Sequence, residues 1–176
     1  LFAPLTTVVN TFGGTWYTKD WQAQVNAPEF QAATKFYVDL VRAHGEPGAA
    51  QSGFTECLNA MSQNQVAMWY DATSAAGSLE DPSVSNVAGK IGYVYAPVKE
   101  TKTSGWLWVW AWAMPQDSKN ADNAAKFMLW ASSKDYESLV GKQLGWARLP
   151  AGKRASTYQI PEYKQAAAAF GDITLK

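Results

Sequence analysis

Residues 105–115 read GWLWVWAWAMP, the most regular pattern of apolar residues in the chain. Its four tryptophans, Trp106, Trp108, Trp110 and Trp112, alternate strictly with aliphatic residues. Successive side chains of a β-strand point to opposite faces, so a period of two predicts a strand and is incompatible with a helix. Both faces are apolar, which is typical of an interior strand that is covered on both sides in an α/β sheet.

The row of indoles has two interpretations. Trp110 and Trp112 are followed by small alanines, and we expect them to pack in the core, where tryptophan buries a large apolar area. Trp106 and Trp108 lie beside Gly105, at the mouth of the strand. For these two, core packing and a platform for a ligand with C–H faces, such as a sugar ring, are equally compatible with the sequence.

Composition excludes several classes of function. The 176 residues carry 15 basic and 15 acidic side chains, and the zero net charge argues against nucleic acid as a partner. The single cysteine, Cys57, allows no internal disulfide, and with one histidine, His44, a zinc site of the usual kind is not expected. The start lacks a methionine and the layout of a signal peptide, so we interpret it as a cut end.

Apolar periodicity and capping residues predict helices that alternate with strands, which is typical of an α/β or α+β lobe. A helix capped by Asn26 is expected to carry Pro28 in its first turn and to end near His44. The other predicted helices are Pro4–Thr11, one starting at Phe54 and Thr55, Ala72–Leu79, Ala121–Ser132, Asp135–Leu144 capped by Ser133, and Pro161–Phe170. The other predicted strands are Gln65–Tyr70 and Ile91–Val98.

Two polar side chains stand out as candidate ligand contacts. Asp71 directly follows the predicted strand Gln65–Tyr70, and ligands of open α/β sheets bind beyond the carboxyl ends of strands. The alternative is a helix cap for the turn that follows. Arg148 lies beside a loop rich in Pro and Gly, where its guanidinium offers a rigid fork for hydroxyl groups, or is simply a solvated charge.

The segments together resemble the family 1 solute-binding proteins of ABC transporters, most closely the branch that binds polyols such as mannitol and sorbitol. Each motif alone is weak, and their order and spacing over nearly the whole chain make the resemblance specific. The stretches that carry it are FGGTWYTKDWQAQVNAPEF (12–30), FTECLNAMSQNQVAMWYDAT (54–73), GKIGYVYAPV (89–98), SGWLWVWAWAMPQDSKNADNAAKFMLWASSKDY (104–136) and GWARLPAGKRASTY (145–158).

The resemblance implies one α/β lobe of a two-lobed, periplasmic-binding-protein-like fold, helix-rich with a small central sheet, over residues 1–176. The first lobe, the signal segment and the closing helices of the family are expected to be absent. A sugar or polyol would lie in a cleft between two lobes that close by hinge motion, with this chain supplying one wall. Carried over by position, the ligand contacts would be Trp16, Asp71, Trp106, Trp108 and Arg148, with Trp16 resting mainly on the resemblance.

The same resemblance implies extracytoplasmic or periplasmic location, permease subunits of an ABC transporter as partners, and no cofactor. Binding breaks no bond, so we expect a binding protein and not an enzyme. Two alternatives remain. A glycoside-active enzyme domain would need two facing carboxylates, of which the sequence offers only Asp71 at a strand end. A stand-alone carbohydrate-binding module is usually an antiparallel β-sandwich, whereas this chain predicts at least four helices.

Overall fold

The computed structural model describes residues 2–149 and 154–174. Its helices, in chain order, are α1 (Phe2–Thr11), α2 (Pro28–His44), α3 (Phe54–Ser62), α4 (Ala76–Leu79), α5 (Ala121–Ala131), α6 (Lys134–Leu144), α7 (Pro161–Ala166) and α8 (Gly171–Thr174). Short 3₁₀ turns span Thr73–Ala75, Trp146–Arg148 and Thr157–Gln159. Residues 150–153, in the Pro- and Gly-rich loop beside Arg148, lie outside the described residues.

The predicted helices are confirmed, with changes at their ends. Ser133 caps α6 as expected, because its hydroxyl accepts the Tyr136 N–H at 3.1 Å. Asn26 is not the cap of α2. That helix begins one residue later, after Ala27, because Pro28 takes the first helical position and holds the preceding residue in an extended conformation. The last predicted helix stops at Ala166 and does not continue to Phe170.

The predicted strands are not shown. Over residues 2–149 and 154–174, the one β pairing is an isolated antiparallel bridge between Tyr17 and Ala23. A strand needs hydrogen bonds from a neighbouring strand, and no such ladder is formed by residues 65–70, 91–98 or 105–115. The prediction that the tryptophan segment is covered on both faces is wrong, since Leu107 is 91% exposed and Trp110 88% exposed.

The chain divides into two compact units. Unit 1 comprises Leu1–Ala72 and Val94–Trp108, and unit 2 comprises Thr73–Tyr93 and Val109–Lys176. The backbone therefore passes from one unit to the other three times. The expectation of a single lobe over residues 1–176 stays a prediction.

The core of unit 1 lies between α1 and α2. Val9, Phe12, Phe30 and Ala33 are buried, and Trp16 packs against them from the side. Gly14 allows the chain to turn tightly between the two helices, because a Cβ there would lie 3.1 Å from the Val9 side chain and 3.3 Å from the Phe30 nitrogen. This core holds α1 against α2 within unit 1.

The core of unit 2 is built on its C-terminal helices. Its buried members are Ala76, Leu149, Tyr158, Tyr163, Ala167 and Phe170. The turn Trp146–Arg148 lies directly on α4, where a Cβ at Gly77 would come within 2.1 Å of the Ala147 carbonyl oxygen. Close approach of the two backbones therefore requires glycine at position 77.

A buried carboxylate stabilises the same unit. Glu137 on α6 is 3% exposed and accepts hydrogen bonds from Arg154 Nε at 3.1 Å and from the Thr157 hydroxyl at 2.6 Å. Arg154 also donates to the Ser132 carbonyl. Arg154 thus has a structural role in unit 2.

Candidate functional site

The five residues predicted from the sequence are divided between the two units. Trp16, Asp71, Trp106 and Trp108 lie in unit 1, and Arg148 lies in unit 2. In unit 1, Trp16 and the chain just before Trp106 contact α1. Asp71 directly follows a residue that lies beside α1.

Trp106 and Trp108 form an aromatic pair. Their ring centroids lie 5.5 Å apart with an interplanar angle of 70°, an edge-to-face geometry favoured by aromatic quadrupoles. Trp106 is half-buried and Trp108 is 58% exposed. The pair therefore presents an open aromatic surface, as a platform for a C–H face requires.

Trp110 and Trp112 were expected in the core, and that expectation is wrong for both. Trp110 is exposed, and Trp112 is 58% exposed although it packs edge-to-face on Phe127 of α5 at 5.6 Å. Together with Met128 and Leu129 they line an open apolar groove of about 630 Å³ in unit 2. Among the described residues, none forms a sheet pairing with this segment.

Trp16 has a packing role in the structure. Its ring meets Phe30 edge-to-face at 4.8 Å, and its indole N–H donates to the Thr6 hydroxyl at 3.2 Å. It is half-buried at the margin of the unit 1 core. The same loop presents two other aromatic side chains to solvent, Tyr17 and Trp21, whose rings lie 5.8 Å apart. Neither Tyr17 nor Trp21 is among the ligand contacts predicted from the sequence.

Asp71 is half-buried and lies among other titratable side chains. Its Oδ1 accepts the N–H of the adjacent Ala72 at 2.7 Å, which is not the bond to the second or third helical residue that defines a cap. Burial raises the pKa of Tyr37, Tyr70 and Cys57, and the negative charge of Asp71 raises each further. Tyr37 and Tyr70 thus lie near Asp71. The sequence did not predict this for either residue, because both belong to apolar patterns that indicate core packing.

Arg148 is held by a carboxylate. Its Nη2 lies 3.0 Å from Asp81 Oδ2, and Asp81 Oδ1 accepts both the N–H and the hydroxyl of Ser83. The hydrogen bonds from Ser83, together with the Arg148 charge, lower the pKa of Asp81. The Arg148 side chain remains 57% exposed, so the guanidinium is oriented by Asp81 and still accessible to a polar ligand.

In the described part of the chain, no three His, Cys, Asp or Glu side chains come together in a way that would hold a metal ion. Also within it, no helix has the length and apolar character needed to cross a bilayer.

Comparison with known proteins assigns the chain to a family. The family model described as bacterial extracellular solute-binding protein matches residues 1–138. The chain belongs to this family. One protein similar to it is the mannitol-binding protein of Pseudomonas aeruginosa, 39% identical over 171 residues. That match covers 97% of this chain and 39% of the relative.

Solved structures of ABC-transporter solute-binding proteins share the fold. The protein from Agrobacterium vitis with bound D-mannitol is 40% identical, with a TM-score of 0.84 over 97% of this chain and 41% of its own. The ribitol complex from Agrobacterium radiobacter is 23% identical with a TM-score of 0.76, over 97% of this chain and 43% of its own, and supports the fold alone. This chain thus spans about two fifths of the length of the relatives that it matches.

Proposed function

We propose that this bacterial extracellular solute-binding protein binds a polyol or sugar for uptake by an ABC transporter. The observation that carries the proposal is the likeness to the mannitol-bound protein of Agrobacterium vitis, at 40% identity along 97% of this chain. Mannitol and related polyols are the ligand class that this likeness favours. The proposal is one of binding without covalent chemistry, since the similar proteins are named as binding proteins.

The geometry of unit 1 supports such a ligand. The pair Trp106–Trp108 offers an exposed aromatic surface for C–H groups, and the half-buried Asp71 offers carboxylate oxygens to hydroxyl groups. Trp16 would support the site through packing. Arg148, in unit 2, offers a fork of N–H donors to hydroxyl groups. The assignment of these five residues as ligand contacts rests on their positions in the sequence.

We propose further that the chain supplies one wall of an interlobe cleft. The length that the relatives have beyond this chain would supply the other wall, together with strands that pair with residues 65–70, 91–98 and 105–115 in a small central sheet. Such pairing would cover the exposed aliphatic side chains of the tryptophan segment. Closure of the cleft by hinge motion, an extracytoplasmic location and docking to permease subunits belong to the same proposal.

A chimera tests the proposed ligand class. In it, this chain replaces the matching segment of the Pseudomonas aeruginosa mannitol-binding protein, and D-mannitol affinity is measured by calorimetry. We expect Asp71→Ala to weaken binding by about 1.5–3 kcal/mol, roughly 10- to 150-fold, because a charged hydrogen-bond partner is lost. Asp39→Ala, which removes an exposed carboxylate on α2, is the matched control. A folded chimera that ignores mannitol and other polyols would contradict the proposed function.

The cleft model makes a separate prediction for the chain alone. Without the second wall it should bind the same polyol more weakly by about 3–6 kcal/mol, since several hydrogen bonds and a stacking surface are missing. Calorimetry on the chain and on the chimera measures the difference. Equal affinities would place the whole site within these 176 residues and rule out the cleft model for this chain.

A further inference from the structure

Helix α1 contacts three segments that carry or precede predicted ligand residues. The contacts come from Thr6, Thr7 and Asn10, three polar residues in the middle and last turn of a helix whose Val9 is completely buried. Sequence analysis gave these three residues no role. Each contact lies within unit 1 and can be followed to one predicted ligand residue.

The first contact fixes the chain immediately before Trp106. Asn10 Nδ2 donates to the Gly105 carbonyl at 2.7 Å, and the Ser104 hydroxyl donates to the Thr7 carbonyl at 3.2 Å. The two bonds run in opposite directions between the helix and the extended chain. They therefore define both the distance and the register of residues 104–105 relative to α1.

The same turn of α1 holds the start of the loop that leads to this point. The Lys99 N–H donates to the Thr11 hydroxyl at 2.7 Å, and the Glu100 N–H donates to the Thr11 carbonyl at 2.9 Å. The Lys99 ammonium lies 4.0 Å from the centre of the Phe12 ring, beside the negative end of the helix dipole. Residues 99–105 are thus attached to the end of α1 at both ends.

The second contact concerns Trp16. Its indole N–H donates to the Thr6 hydroxyl, one helical turn before Asn10. Because the ring also packs on Phe30, its position depends on both α1 and α2.

The third contact is to the residue before Asp71. The hydroxyls of Thr7 and Tyr70 are both buried, and neither reaches hydrogen-bond geometry with another described residue. They are nevertheless close, since the Thr7 hydroxyl partly offsets the rise in the pKa of Tyr70 that burial causes. The buried Tyr70 hydroxyl thus lies beside Thr7 of α1, one residue before Asp71.

We propose that Thr6, Thr7 and Asn10 of α1 are positioning residues that set the places of Trp16, Asp71 and the Trp106–Trp108 pair. This inference rests on the proposed function, because it assigns these residues to the same polyol site. None of the three needs to touch the ligand. Their effect on affinity comes from holding the ligand contacts in one arrangement, so that less conformational freedom is lost on binding.

The indole N–H signals of the ¹⁵N-labelled chain test the inference without ligand. Asn10→Asp keeps the shape of the side chain but replaces the donor with an acceptor that faces the Gly105 carbonyl. We expect the signals of Trp106 and Trp108 to move and those of Trp130 and Trp146, in unit 2, to stay. Asn59→Asp on the exposed side of α3 introduces the same charge and should leave Trp106 and Trp108 unmoved. Unmoved Trp106 and Trp108 signals in a folded Asn10→Asp variant would overturn the proposal.

Ser104 provides a second variant that keeps α1 intact. Ser104→Ala removes the bond to the Thr7 carbonyl, whereas Ser104→Thr keeps a hydroxyl and should restore the wild-type positions of the two signals. In the chimera, Asn10→Asp and Ser104→Ala should each weaken mannitol binding about two- to tenfold, with Ser104→Thr near wild type. Unchanged affinity in both variants would overturn the positioning role. A wild-type chimera that fails to bind any polyol would instead refute the proposed function, while the ligand-free signals still decide the role of α1.

Discussion

At the scale of single residues, the most unusual backbone lies at Trp21. Its φ of 60° is in the left-handed region, which costs a residue with a side chain about 1–2 kcal/mol. Backbone and hydroxyl hydrogen bonds to Thr18 hold the turn in this conformation. The indole is 80% exposed, so burial does not repay the strain.

We predict that Trp21→Gly is more stable than Trp21→Ala by about 1 kcal/mol, because both variants remove the indole and only glycine relieves the backbone. Urea denaturation measures the difference. The same pair of substitutions at Leu129, an exposed position within α5, should give the opposite sign with a similar size. An alanine variant as stable as the glycine variant at position 21 would contradict a left-handed backbone there.

At the scale of secondary structure, the start of α3 depends on pH. Glu56 Oε2 accepts the Gly53 N–H at 2.8 Å, and hydrogen bonds from its own N–H and from that of Gly53 lower the pKa of the carboxyl. Because the pKa of Glu56 is lower in the folded state, its carboxylate stabilises the helix at pH values above the unfolded-state pKa of about 4.3. This stabilisation is lost as the pH falls through the folded-state pKa. The protection factor of the Cys57 amide, which donates to the Gly53 carbonyl, should fall in that range. Glu56→Gln keeps an acceptor at the same place and should remove the pH dependence.

Breaking the ion pair that attaches α6 to the following loop should lower the free energy of unfolding far more than breaking a surface ion pair does. Arg154→Ala removes the ion pair between Arg154 and the buried Glu137, and we expect a loss of about 2–3 kcal/mol, reduced from the full cost of a buried pair because Arg154 is 36% exposed. Lys35→Ala breaks the exposed pair with Asp39 on α2 and should cost less than about 0.5 kcal/mol. Equal losses of stability in thermal unfolding for the two variants would mean that the hydrogen bonds of Glu137 are exposed to solvent.

The sequence predicted the helices well because their signals are local. Ser133 caps α6 through a bond that spans three residues, and the stripe of α2 repeats within one turn. The strand signal of Trp106–Trp112 needs partners from elsewhere, so alternation alone could predict neither pairing nor burial. For the site, strand-end and loop placement singled out Asp71 and Arg148. The roles of Asn10 and Thr7 depend on contacts made nearly one hundred positions away, which no local pattern reveals.

At the scale of the whole molecule, the exposed apolar side chains of unit 2 predict self-association. Trp110, Trp112, Phe127 and Leu129 are all exposed around the open groove, and exposed apolar patches of this kind mark interaction surfaces. The apparent mass in light scattering should rise with concentration. Leu129→Lys should reduce the rise, whereas Leu144→Lys, at an exposed position on α6, should not. A constant monomer mass at all concentrations would contradict the prediction.

The three passages of the backbone between the units have a consequence for gene architecture. Each unit is encoded by two separate stretches, since residues 73–93 of unit 2 interrupt unit 1 and residues 94–108 of unit 1 interrupt unit 2. No stop codon, splice junction or single deletion can yield one unit complete and free of the other. An exchange between paralogous genes would therefore keep each unit from one parent only when it transfers both units together. Recombination is expected to transfer residues 1–176 as a single segment.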